Sequence, residues 1–202
     1  MNAPDDVRRK VSGTTIGVGL LSAALLALWA WSSRKPLPDI REGEFGGRLV
    51  VQWFDKDLFV FRPDPVERFY FKRFNGELIL PEEMVTDGGS IPRSQRVFRS
   101  YSPWGYAPAF IIHDWLFEAH RCRIEDHQLY SFDESATILT EGILTMMQNE
   151  EVDQSVLASV HAAVSSPVAL RLWDRDCGVN GLRIDASVIS GEPTYEFVLD
   201  FD

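Results

Sequence analysis

The chain carries no charged residue from Val11 to Ser33, and within that run Ile16 to Trp31 is strongly apolar. A bilayer core takes about 20 helical residues, so the run is long enough to span one. Trp29 and Trp31 stand where an interfacial aromatic belt would. Arg34 and Lys35 stand where cationic side chains reach back to headgroups. The pattern predicts a single-pass anchor within residues 1–35, touching the lipid bilayer through residues 14–32. A cleaved signal peptide is the competing reading, with Arg8, Arg9 and Lys10 as its basic start and Ala30 and Ser32 as small residues near a cleavage point. Two tryptophans fit an interface better than a cleavage pocket. Basic residues flank the run on both sides, which leaves its orientation in the membrane open.

Pro, Gly and charge mark residues 36–47 as a linker. Short runs rich in aromatic and β-branched residues follow: Leu49 to Phe54, Leu58 to Phe61, Arg68 to Phe74 and Glu77 to Leu80. Asp55-Lys56-Asp57 separates the first two, and Asn75-Gly76, a strong hairpin signal, the last two. About four antiparallel strands are expected. Met84 to Gly105 reads as loop. Helical periodicity then takes over, in one helix with Pro108 in its first turn running to about His120 and another capped by Asp133 or Ser135 running to about Gln148. A third starts near Asp153 and is ended or kinked by Pro167. Strands first and helices after predict an α+β domain over residues 48–176, a small antiparallel sheet packed by about three helices. Phe110, Ile112, Leu116, Ile138, Leu139, Ile143, Leu144, Leu157 and Val160 are expected to form one core against the sheet. Residues 177–202 read as an acidic tail, with Glu196 to Leu199 as a candidate last strand.

Composition changes this picture in two respects. Aromatics at 12% and apolar residues at 45% support a packed core. The whole chain has a net charge of −10, but its first 35 residues hold five basic and two acidic side chains, so the remainder stands at −13. A domain that acidic repels nucleic acid at long range, and no nucleic-acid partner is expected. Cys122 and Cys177 are too few for a disulfide framework; one bridge and two unrelated thiols are both open.

Two segments could carry chemistry. The first is the loop Thr86-Asp87-Gly88-Gly89-Ser90-Ile91-Pro92-Arg93, where two glycines allow a close backbone approach beside a carboxylate and a hydroxyl. Asp and Ser also commonly tie such a turn to its own amides. The second is Pro108 to Phe117, where His113 and Asp114 interrupt an otherwise apolar helix. Burying such a pair is costly unless partners or a metal compensate it, and clustered ionisable groups are a mark of functional sites. His120 lies seven residues after His113 and so on the same helical face. Arg93, Arg96 and Arg99, with Tyr101 and Trp104, form the one local basic patch, suited to phosphate or carboxylate.

The two motifs, T-D-x-x-S-[IV]-P-R and then P-A-x-x-x-H-D-x-L-[YF] about fifteen residues later, resemble the bacterial and phage family called domain of unknown function 1353. Thr86, Asp87, Ser90, Ile91, Pro92, Arg93, Pro108, Ala109, His113, Asp114, Leu116 and Phe117 are the matching positions, and the likeness runs from about Leu49 to Leu172. The chain departs from the family at Gly88 and Gly89, where an aromatic and an alanine are usual, and at Phe117, where tyrosine is. Glu141 fits an acidic position of a later helix, while the family's preceding Asp falls nearest Ala136, a turn from Asp133. The resemblance implies an α+β fold and no established activity.

Two functions follow as expectations. One is a membrane-anchored hydrolase with His113, Asp114, Asp87 and Ser90 catalytic and Arg93, His120 and Glu141 binding. Asp114, Asp87 and His113 would supply the ligands if a divalent metal takes part. The alternative is a non-catalytic phage- or prophage-related envelope protein, in which the His-Asp pair fastens the loop to the helix.

Overall fold

A computed structural model describes residues 37–54, 58–86, 106–124, 130–147, 154–178, 186, 189 and 191–201. The chain divides into two units, Met1–Pro36 and Leu37–Asp202, and all described residues lie in the second. The segment expected to cross the bilayer, and Asp87, Ser90 and Arg93 with the rest of the basic patch, lie outside the described residues.

The domain is α+β. Its strands are β1 (Glu44–Phe54), β2 (Leu58–Phe61), β3 (Tyr70–Lys72), β4 (Leu78–Ile79), β5 (Met84–Thr86) and β6 (Tyr195–Phe201). Its helices are α1 (Ala107–Cys122), α2 (Phe132–Met146), α3 (Gln154–Val164) and α4 (Pro167–Trp173). The strands form one sheet in the order β4-β3-β1-β2-β5, with β6 also on β1, and every pairing is antiparallel. The long β1 organises it. Glu44 to Gly46 pair with β3, and Gly47 to Trp53 pair with β6. Gly47, at φ 75°, occupies the point where β1 changes partner, in backbone space that glycine enters without strain. Asn75-Gly76 closes the β3–β4 hairpin as its sequence predicts, with Gly76 at φ 87° and the Asn75 side chain accepting from the Glu77 amide at 3.0 Å.

Several expectations are corrected. Helices number four among the described residues: the break expected at Pro167 is present, but the residues after it form a helix of their own, α4, with Ser166 as its cap. The strand count among the described residues rises to six, because Met84–Thr86, read as loop, forms β5, while the candidate strand at Glu196 to Leu199 is present as β6. The linker span 36–47 already contains the start of β1, and the acidic tail supplies β6, paired with β1 over seven residues. In β6, Phe197, Leu199 and Phe201 turn partly into the core while Glu196, Val198 and Asp200 stay exposed, the alternation of a half-buried strand. The nine residues expected in one core fall into two of the three apolar clusters among the described residues. Ile112, Leu116 and Ile138 join the sheet residues. Phe110, Leu139, Ile143, Leu157 and Val160, with Leu144 partly buried beside them, pack as a helical cluster joining α1, α2 and α3. Gly142 lets α1 and α2 approach closely; a Cβ there would stand 2.9 Å from that of Ala109. Cys122 and Cys177 form a disulfide, which ties the end of α1 to the chain after α4.

Among the described residues no single helix is long and apolar enough to cross a membrane. The pair α3 and α4 has the length and composition together but bends by 52°. Val156, Leu157 and Val160 of α3 are buried in the helical cluster, which already accounts for its apolar face.

Candidate functional site

α1 lies between β5 on one side and α2 on the other, and its two central polar residues face one each. Asp114 turns to β5, where its Oδ2 accepts a hydrogen bond from Thr86 Oγ1 at 2.5 Å. Thr86 is 4% exposed and is the first residue of the first motif. His113 turns to α2, where Nδ1 stands 3.2 Å from the Ser135 carbonyl oxygen. A carbonyl only accepts, so Nδ1 carries the proton and Nε2 keeps a lone pair. The His113 ring also packs on Phe117, centroid to centroid 4.7 Å. The imidazole is 7% exposed. That burial pushes its pKa down to about 4, against a smaller opposing effect of the Ser135 hydrogen bond. At neutral pH the ring is therefore uncharged.

The sequence dictates this placement. The apolar residues Ile111, Ile112, Trp115 and Leu116 seat α1 against the sheet core. With those seated, the two polar positions between them fall at its margins, one above the end of β5 and one against the first turns of α2. α2 is fixed in turn by a capping box: Ser131 accepts from the Glu134 amide at 3.3 Å, and the Glu134 carboxylate accepts from the Ser131 amide at 2.8 Å. That cap sets the height of Ser135, four residues on, whose carbonyl meets His113.

The other predicted residues lie elsewhere. Glu141 is 1% exposed, and both its oxygens are held by Arg73, at 2.8 and 3.0 Å. Arg73 also donates to Glu77 at 2.8 Å. The Glu141 hydrogen bonds are the main cause that raises the Arg73 pKa above its ordinary value. Glu141 thus fastens the β3–β4 turn to α2 through a buried ion pair. His120 stacks on Trp173 at 4.0 Å. Trp173 meets Phe117 edge-on at 4.9 Å, so a row of rings runs from His113 through Phe117 and Trp173 to His120. His120 lines a cleft of about 1050 Å³ together with Tyr130, Trp173 and the disulfide.

The contact that sequence reasoning missed is Thr86 to Asp114; its signal was the threonine heading the first motif. The Ser135 partner had no such signal, because the contacting atom is a backbone carbonyl that any residue offers. Among the described residues, His113 and Asp114 belong to no cluster of three metal-ligating side chains.

No curated protein and no solved structure matches this chain. Residues 66–164, which hold both motifs, match the model of the family described as protein of unknown function DUF1353, and over that stretch the chain resembles this family.

Proposed function

We propose that the chain is a membrane-tethered hydrolase in which His113 acts as general base through Nε2. The observation that carries this reading is the hydrogen bond from His113 Nδ1 to the Ser135 carbonyl, which fixes the tautomer with a lone pair on Nε2. Burial keeps that ring neutral but makes it a weak base by itself. A neighbouring carboxylate strengthens such a base, and Asp87 is the group assigned that work. Asp87, Ser90 and Arg93 follow Thr86 in the chain, and Thr86 is bonded to the residue next to His113. Ser90 would assist or act as nucleophile, Arg93 would neutralise an anionic substrate, and Asp114 would hold water or a divalent metal. The N-terminal apolar run would hold the domain at a bilayer.

The test is a panel of chromogenic esters and phosphodiesters offered to the full-length protein in detergent. His113→Asn should lower hydrolysis by about 10²–10⁴-fold, the usual contribution of a general base, with the fold retained by circular dichroism. A second reading is favoured by a specific observation: both polar groups have internal partners and His113 is almost fully buried. The pair would then be a fastener in a non-catalytic phage- or prophage-related envelope protein. That reading is upheld if the wild type hydrolyses nothing above background while His113→Asn only lowers the melting temperature.

A further inference from the structure

Away from the His113 site, the end of α1 gathers three metal-ligating side chains. The Glu118 carboxylate and the Cys122 and Cys177 sulfurs lie within 4.8 Å of one another. Glu118 and Cys122 are one helical turn apart and share a face of α1. Cys177 is buried, Cys122 is half-buried, and the Glu118 side chain is 13% exposed. Arg121 reaches Glu118 at 3.4 Å, a long contact on the same helix. Two further observations favour a cation here. Cys122 is the last residue of α1, where the helix presents its negative end. Both cysteines also line the cleft beside Trp173, which gives an incoming ion a route to them past Asp174 and Asp176 as well as Arg121, Arg123 and Arg175.

We propose that Cys122, Cys177 and Glu118 form a redox-gated site for a thiophilic divalent cation of the zinc type, closed to metal while the disulfide stands and open once it is reduced. A dithiol reductant supplies two electrons and two protons; the S–S bond breaks, two thiols form, and the reductant closes to its own disulfide. The cation then displaces one proton from each thiol into solvent, forming two metal–sulfur bonds and one metal–oxygen bond to Glu118. Tetrahedral ligands at about 2.0–2.3 Å from one ion stand about 3.3–3.8 Å apart, so the two sulfurs must separate once their bond is broken while the Glu118 carboxylate, already within 4.8 Å of them, closes on the ion. A water from the cleft completes the tetrahedron.

The full-length protein is reduced with a phosphine, desalted without oxygen, assayed for two free thiols and titrated with cobalt(II). One equivalent should bind with the near-ultraviolet absorption of cobalt–thiolate bonds, and zinc should displace it. Oxidised protein and Cys122→Ser should give no such band of that strength. Glu118→Gln should keep the thiols and weaken cobalt binding at least about tenfold. The proposal is overturned if the reduced wild type, folded and with two free thiols, gives no thiolate band. It is equally overturned if Glu118→Gln binds cobalt as tightly as the wild type, or if the fold does not survive reduction.

Discussion

At the residue scale, His113 has a consequence that can be measured without knowing any substrate. Its folded pKa is about 4 and its ordinary value 6.5. The unfolded ring therefore takes a proton at a pH where the folded ring does not, and protonation favours unfolding. The stability that depends on the neutral ring is complete above about pH 6.5 and is lost as pH falls from 6.5 through 4. Full loss corresponds to about 3 kcal/mol. Denaturant melts across that range should show the decline. His113→Asn places an amide N–H near Nδ1 and cannot titrate, so its melts should be flatter over the same interval. An unchanged slope would mean that His113 is solvated.

At the scale of elements, the placement of α2 rests on its first turn. Ser131→Ala removes the side chain that accepts from Glu134 and should cost about 1 kcal/mol, within the usual range for a lost cap. The same change should shift the His113 proton environment, because Ser135 hangs from that turn. An imidazole signal that stays put while stability falls would separate the two effects. How much of this was legible in the sequence depends on the kind of pattern. The Asn75-Gly76 hairpin and the Pro108 start of α1 were readable, because each is enforced by local backbone chemistry. The Ser131–Glu134 box was readable too, but Asp133 and Ser135, adjacent and equally able to cap, obscured it. β6 was legible at Glu196 to Leu199, but its full length was masked by acidic residues: Glu196 and Asp200 face solvent and pair with Gln52 and Arg48, while Phe197 and Leu199 carry the packing. Arg73 and Glu141 are 68 residues apart, and nothing in either one's neighbours announces the other.

For the whole molecule, the proposed anchor is the uncharged run from Val11 to Ser33, and the disulfide between Cys122 and Cys177 lies within the separate unit that follows it. Removing residues 1–35 should release the protein from sedimented membranes, since the remainder has its own sheet, helices and three apolar clusters. Continued sedimentation with membranes would transfer the attachment to the domain itself, where the bent α3–α4 pair would be the first segment to examine.

The central claim is that the loop beginning at Thr86 and the His-Asp helix make one site. A double-mutant cycle between Asp87→Asn and His113→Asn, read by denaturant melts at pH 7.5, tests it most directly. Residues that share a site or a bridging water or metal are coupled by about 0.5–3 kcal/mol, whereas independent ones add within about 0.3–0.5 kcal/mol. A coupling energy above about 1 kcal/mol, with Asp87 and Leu78 additive as the control pair, is the predicted result. Strict additivity of Asp87 and His113 would contradict the account, because the loop carboxylate would then have no part in the environment of the histidine.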